Sequence, residues 1–400
     1  MAQDTKNPYG HKSEDLATPT SLEMVIRTRA RTWIETIIAD ELEDVLAAKP
    51  SARVDARRGY RHGTRERTLT TSLGPTTIAM PRARLQQPDG STTEWRSATV
   101  RRYERRTELV DETVLGVYLS GTNTRRIKGA LAPLLRGGPL SKDAVSRLVG
   151  RLAADFDTWR SRDLAEDAIQ YLVMDGWFPK VRIGKRRVRV PVLVTLGVRA
   201  DGERIILDVR LTGDESTAAW RDVIRSLVER HVGLPTLAII DGSAGLAAAL
   251  QEQWPALAIQ RCTTHKLRNL EAKAPVRLRE ELAEDYRRMI YADSRALVEQ
   301  ARTRFLRTWR LRCPAVAESL EEAGDQLYSF LSFPKSQWKA LRTTNALERI
   351  NGEFRRRTKT QASLPSQDAV LLLLFGLLRS GQVKLRKIDG WQEMKQTKAA

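Results

Sequence analysis

The alternation of strand-like and helix-like segments between residues 168 and 275 limits the fold of this chain more than any other feature. "AIQYLVMDGWF" reads as a strand, "KVRIGKRRVRVPVLVTLGV" alternates about a GKRR turn, and "ERIILDVRLTG" reads as a third strand. A helix, "ESTAAWRDVIRSLVERH", follows. Then come the strand "PTLAIIDG", the helix "SAGLAAALQEQWP", the short strand "ALAIQR" and the helix "TTHKLRNLEAKA". Antiparallel strands followed by alternating helices and strands specify an α/β unit. Within its first strand sits Asp175, a carboxylate that is costly to bury unless something positive lies beside it.

The flanking sequence reads as further domains, as 400 residues exceed one ordinary core. Residues 1–19 read as a disordered tail. Residues 20–106 read as a helix, with a Thr20–Glu23 capping box, followed by a small basic β-hairpin, "TLTTSL" and "TTIAMPRA" about a GP turn. The helix carries Val25, Ile26, Trp33, Ile34, Ile37, Ile38, Leu42, Val45 and Leu46 close to one face. Residues 107–165 read as three helices joined by tight turns, a helix-turn-helix DNA-binding domain. Its last helix would turn Lys142, Arg147 and Arg151 toward DNA; an ordinary helical bundle is the alternative. Residues 166–275 hold the first part of the α/β unit and 276–337 a helical insertion, with Ala296, Leu297, Ala301, Phe305 and Trp309 in helical register. Residues 338–400 hold its last part, an apolar docking helix and a frayed basic tail.

Charge narrows the partner. Lys and Arg number 68 against 49 Asp and Glu, a formal net charge of +19. Such an excess suits a polyanion, nucleic acid above all. No apolar run reaches the roughly 18 residues of a membrane span, and the polar start has no signal-peptide core. Cys262 and Cys313 give no disulfide framework. A cytoplasmic protein with no membrane partner is expected.

Three carboxylates stand where a site can form. Asp175 lies in the first strand, and Asp241 ends the fourth strand before a glycine turn. Two aspartates on neighbouring strand ends repel each other but coexist when they share a cation. Mg²⁺, with its preference for hard oxygen ligands, fits such a pair. Glu348, in "RTTNALERINGEFRRRTKT", is the best third carboxylate, on one helix face with Asn345 and Asn351. Beside it, Arg355, Arg356, Arg357 and Lys359 are placed to hold a phosphate backbone. Each acid also has a plainer reading: Asp175 paired with Arg187 or Arg189, Asp241 as a turn residue, Glu348 bridged to Arg349 or Arg355.

At these residues the sequence resembles the Mutator-like transposases of bacterial insertion sequences. The resemblance is carried by "YLVMDGWFPKVR", "LTGDESTAAWRDVIRSL", "AIIDGSAGLAAALQEQWPALAIQRCTTHKLRN" and "RTTNALERINGEFRRRTKT", in this order. It extends over roughly residues 20–380. It implies a multidomain α+β chain: a helical N-terminal region with the helix-turn-helix, then a ribonuclease H-like catalytic domain interrupted by the insertion. It implies that Asp175, Asp241 and Glu348 form a DDE triad holding two Mg²⁺ ions, with Mn²⁺ able to substitute. It also implies cleavage at the ends of an element to free a 3′-OH, strand transfer by that 3′-OH, and a copy-out, paste-in route through a joined-end circle. The expected partners are double-stranded DNA and a second copy of the chain. Cys262 and His265 form a Cys-x-x-His pair also found in that family; with no second pair of ligand spacing for zinc, it is read as packing near the site. Trp338 matches an aromatic that the family places shortly before the Glu, or else closes the insertion as a core tryptophan. A DNA-binding relative that no longer cuts is the alternative function, and a nuclease that hydrolyses without joining strands is another.

Overall fold

The computed structural model describes residues 22–120, 126–136, 140–183, 185–360, 366–381 and 383–394. The tail expected at 1–19 and Thr20 of the expected capping box lie outside them. The chain divides into two compact units. One takes the described residues up to Val114 and those from Arg126 to Lys142; the other takes those from Leu115 and those from Asp143 onward.

In the first unit, α1 (Leu22–Leu46) lies on a hairpin of β1 (Gly59–Thr71) and β2 (Gly74–Gln86), with β3 (Thr92–Glu94) beside β2. The hairpin is longer than the sequence suggests, and Gly74, at φ +99°, opens its second strand. Ile38, Leu42 and Leu46 pack against Ile78, Ala83, Trp95 and Val100. Carboxylates fix the docking: Glu35 accepts from the Ala79 amide (2.8 Å) and Glu41 from the Ser97 hydroxyl (2.6 Å). The single apolar face expected along α1 is only partly used. Val25, Ile26, Trp33 and Ile37 are exposed, Trp33 at 68 %, because the residues that bury α1 lie toward its C-terminal end.

The helices expected to form one helix-turn-helix are divided between the units. After α2 (Glu108–Leu119), the second expected helix is two single turns, α3 (Ile127–Ala130) and α4 (Ala132–Leu135), in the first unit. Pro133 sits in the second turn and lacks the amide that would continue one helix across the junction. The third, α5 (Lys142–Ser161), belongs to the second unit except for Lys142.

The second unit is built on a mixed sheet. Its strands are β4 (Ile169–Trp177), β7 (Val192–Arg199), β8 (Arg204–Leu211), β9 (Leu237–Ile240) and β10 (Ala258–Arg261), in the order β10-β9-β4-β7-β8. Between β4 and β7 a separate hairpin, β5 (Lys180–Ile183) and β6 (Arg186–Arg189), forms its own two-stranded sheet. β4 is antiparallel to β7 and parallel to β9, and β9 is parallel to β10. The helices α6 (Thr217–Glu229) and α7 (Ala244–Gln253) supply Trp220, Val223, Ile224, Leu227, Leu246 and Leu250 to one core with Leu172, Met174, Ala238 and Ile240 of the sheet.

After β10, α8 (Thr263–Lys273) leads into a strand-free insertion of α9 (Arg279–Ile290), α10 (Arg295–Arg312) and α11 (Pro314–Glu322), followed by 3-10 turns. Along α10, Phe305 and Trp309 are buried as the periodicity suggests, but Leu297 is exposed and Val298 takes the inward position. Gln260 ties the insertion to β10: it is fully buried, donates to the Leu327 carbonyl (2.9 Å) and accepts from the Phe330 amide (2.8 Å). The chain returns through α12 (Trp338–Leu341) and α13 (Asn345–Thr360), which packs on β4. The apolar run is α14 (Asp368–Arg379), buried along most of its length, where Phe375 meets Phe156 and Trp159 of α5 at 5.2 and 5.3 Å. The basic tail is not simply frayed. Ile388 is buried and its amide donates to the Gly202 carbonyl (2.9 Å), ahead of a final turn, α15 (Trp391–Met394). No described helix is long and apolar enough to cross a membrane.

Candidate active site

Register places the two aspartates side by side. Met174 of β4 pairs with Ile240 of the parallel strand β9. The next residue on each strand is an aspartate, Asp175 and Asp241. Both Met174 and Ile240 face the α6–α7 core, so alternation turns Asp175 and Asp241 to the opposite face, where α13 lies on β4. The place is the carboxyl end of the parallel strands where the chain direction reverses between β9 and β7, the usual position for a site in an open α/β sheet. Gly242, at φ +103°, turns the chain away from β9, and a Cβ there would meet the Arg261 guanidinium at 2.9 Å. Asp241 accepts from the Ser243 amide (2.9 Å), and Ser243 caps α7. The turn reading of Asp241 is therefore satisfied together with its place beside Asp175.

Glu348 arrives from α13. The segment before that helix is stapled to the start of α8, with Thr263 donating from its amide (2.9 Å) and hydroxyl (3.0 Å) to the Arg342 carbonyl. The staple brings α8 across α13, so Glu348 accepts from Arg268 (3.0 Å) and lies 3.6 Å from His265. The partner is thus a helix distant in sequence, and not Arg349 or Arg355. One turn on, Asn351 donates to Asp175 at 3.4 Å.

Asp175 is 7 % exposed and has no ion-pair partner among the described residues. Arg187 and Arg189, offered as partners by the sequence, lie on the exposed β6. Burial pushes the Asp175 carboxyl up to about 7, and the charges of Asp241, Glu215 and Glu348 push the same way against His265. His265 is pulled up to about 9, first by its hydrogen bond to Cys262, against burial and with help from the Cys262, Asp175 and Asp241 charges. Cys262 is fully buried at the end of β10, where its sulfur accepts from the Thr344 amide (3.4 Å) and hydroxyl (3.5 Å). The Cys-x-x-His pair packs against Thr344, just ahead of α13.

The structure adds a fourth carboxylate that sequence reasoning did not select. Glu215, just ahead of the α6 cap Ser216, lies against Gly176, whose hypothetical Cβ would come within 2.6 Å of its carboxylate. One of its oxygens is buried with no hydrogen-bond partner among the described residues. Its carboxyl is raised by burial and by Asp241, with Trp220 acting against them. The sequence signal there is slight: Glu215 stands directly before Ser216, the cap of α6, in the turn after β8.

Other candidates fall elsewhere. Asn345 is exposed at the first residue of α13. Trp338 donates to the Phe333 carbonyl (2.8 Å) and meets Phe330 edge-on at 5.6 Å, closing the insertion. Arg355, Arg356 and Lys359 are exposed on α13, and Arg357 is half-buried. Arg147 and Arg151 are exposed on α5; Lys142 is its first residue, with a side chain outside the described set.

The donor set suits a hard divalent cation. It offers oxygens from Asp175, Asp241, Glu348 and Glu215, and the buried side-chain oxygen of Asn351 has no hydrogen-bond partner among the described residues. Among the described residues no group of three or more His, Cys, Asp or Glu is arranged to hold a metal ion as it stands. Mutual repulsion of like charges and the Arg268 contact to Glu348 both act to keep the acids apart.

The sequence profile of transposases of the Mutator family matches residues 4–386. The transposase for insertion sequence element ISRM5 of Rhizobium meliloti is 32 % identical, covering 90 % of this chain and 88 % of that one. The transposase for IS406 of Burkholderia multivorans is 33 % identical over 83 % and 84 %. That for IS256 in transposon Tn4001 of Staphylococcus aureus is 26 % identical over 86 % of each. A solved Drosophila P element transposase strand transfer complex aligns at 11 % identity with a TM-score of 0.29, over 72 % of this chain and 83 % of that one, a likeness too low to carry an argument. With the profile spanning nearly the whole sequence, this chain belongs to the Mutator family of transposases.

Proposed function

We propose that this chain is an active insertion-sequence transposase, with a ribonuclease H-like catalytic unit and Asp175, Asp241 and Glu348 as its DDE triad. The observation that carries the reading is the pair of aspartates on adjacent parallel strand ends, one of them buried with no ion pair among the described residues, under a helix that adds Glu348. The sheet order, three antiparallel strands with two parallel ones added beside the first, supports the fold assignment.

Asp175, Asp241 and Glu348 would hold two Mg²⁺ ions, or Mn²⁺ in their place. Such ions, when bound, lower the pKa of the attacking hydroxyl and neutralise the leaving oxygen. Asn351 orients the Asp175 carboxylate, while Arg268 and His265 position Glu348. In the first reaction a water oxygen attacks the scissile phosphorus. The P–O3′ bond breaks, and the 3′ oxygen leaves with a proton as a 3′-OH. In the second, that 3′-OH attacks another phosphodiester, whose own 3′ oxygen departs. One phosphodiester replaces another, so no external energy source is needed.

Duplex DNA is the substrate, at the element's ends and at the target. Arg147 and Arg151, with Lys142 on the same helix, and the exposed Arg355, Arg356 and Lys359, with Arg357, are cations for its backbone. Bringing two ends together calls for at least a dimer on DNA, in the bacterial cytoplasm. The copy-out, paste-in route is part of the proposal.

The test is a strand-transfer assay. Purified protein is incubated with Mg²⁺ and a supercoiled plasmid carrying the element's two ends, beside Asp241→Ala, and junctions are sequenced. Joined ends from wild type alone are expected, with single-strand bridges between ends marking copy-out. Binding without cleavage by the wild type would leave a DNA-binding protein, and cleavage without joining a nuclease.

A further inference from the structure

We propose that the β5–β6 hairpin grips the phosphodiester backbone of duplex DNA next to the carboxylate site. The inference rests on the reading that this chain acts on DNA. Between Gly176 and Ala200 the sequence holds no Asp or Glu, while the hairpin carries Lys180, Arg182, Lys185, Arg186, Arg187 and Arg189. All six are exposed, and none forms an ion pair among the described residues.

The register makes this arrangement unfavourable for the protein alone. Lys180 lies directly opposite Arg189, and Arg182 opposite Arg187. Alternation puts these four cations on one face, in two rows about 5 Å apart across the ribbon and about 7 Å apart along it. Like charges directly opposite each other destabilise a strand pair, so an anion from outside must offset them. The other face supplies the anchor, with Val181 buried and Val188 and Ile183 half-buried.

Position selects the anion. The hairpin grows from the end of the β4–β7 ladder, whose last pair is Trp177 with Val192, two residues beyond Asp175. Trp177 packs on Phe354 of α13 at 5.9 Å, next to the exposed Arg355 and Arg356. A polyanion approaching four carboxylates is repelled unless cations flank the path. The hairpin supplies them beyond the end of β4 and α13 adds more beside Trp177, and a two-stranded ribbon is narrow enough to enter a major groove.

The experiment measures binding of a mixed-sequence duplex a few helical turns long across a salt series. Three proteins are compared: wild type; a neutral variant with Lys180→Gln, Arg182→Gln, Arg187→Gln and Arg189→Gln; and a swap variant with Lys180→Arg, Arg182→Lys, Arg187→Lys and Arg189→Lys. The neutral variant should show a log–log salt slope shallower by roughly three to four, about 0.9 for each phosphate no longer neutralised, and should melt no lower than wild type. The swap variant should keep the wild-type slope. A wild-type slope in the neutral variant, or an equally shallow slope in the swap variant, overturns the hairpin's role while leaving DNA binding in place. No duplex binding by wild type at any salt overturns the reading beneath it as well.

Discussion

Two aspartates of the same sheet are buried, and they are treated in opposite ways. Asp208 of β8 is 1 % exposed and sits among arginines: Arg210 lies 3.1 Å away and Arg230 and Arg162 feel its charge, so it is compensated by charge, although neither of its oxygens accepts a hydrogen bond among the described residues. Arg230 and Arg162 are themselves fixed by donating to the Leu207 and Ile206 carbonyls (2.8 and 2.7 Å). No arginine pairs with Asp175 among the described residues. Its hydrogen-bond partner is the neutral Asn351, and its neighbours include three further carboxylates. Through the register, Asp208 shares a face with Thr195 and Met174, and Asp175 the other face with Val194 and Val209. A carboxylate ringed by arginines reads as structure; one without an ion pair at a strand end is the place of the proposed cation.

The largest expected contrast is in activity. Asp175→Asn or Asp241→Ala should lower strand joining by more than about a thousandfold, several kcal/mol of transition-state stabilisation, while the fold survives. Product sequencing and a thermal melt on the same samples check both halves. Asp208→Asn should do the reverse. It leaves the buried Arg230 and the half-buried Arg210 and Arg162 without their counter-charge, costing about 3–5 kcal/mol of stability by denaturant titration. An Asp208 variant as stable as wild type would break the comparison.

The third contrast is in pH dependence. In the folded, metal-free protein Asp175 is raised to about 7 from an ordinary value of 3.8. Raising an acid's folded value favours its protonated form, so the penalty is absent below about 4, grows as pH rises and is complete above about 7. Asp175→Asn should therefore stabilise the metal-free protein on the order of 2–4 kcal/mol at pH 8, and the gain should shrink toward pH 5. Denaturant titrations at the two pH values decide it; a gain independent of pH would count against an ionised, unmatched Asp175. The smallest effect belongs to Asn351. Asn351→Ala removes an orienting hydrogen bond and should lower cation affinity or strand joining about 10–100-fold, measured by titration calorimetry with Mn²⁺ and by the joining assay.

Much of this was legible in the sequence because it depended on local pattern. The strand–helix alternation from 168 onward located every strand of the central sheet, and the acid before a glycine turn marked Asp241. What escaped depended on tertiary placement. Arg268 is 80 residues from Glu348 along the chain and reaches it only because α8 is stapled ahead of α13. Glu215 read only as the first residue of the helix "ESTAAWRDVIRSLVERH"; the lack of a side chain at Gly176 lets it approach Asp175's strand. Pro133 was visible, but the periodicity around it suggested one helix where the chain makes two turns.

The central claim is that Asp175 is matched by a divalent cation from solution, and a melt with and without Mg²⁺ or Mn²⁺ tests it most directly. Wild type and Asp208→Asn should each rise in melting temperature as the cation is added, following the linkage between binding and stability, and Asp175→Asn should not. An equal rise in Asp175→Asn, or no rise in wild type, would contradict the account.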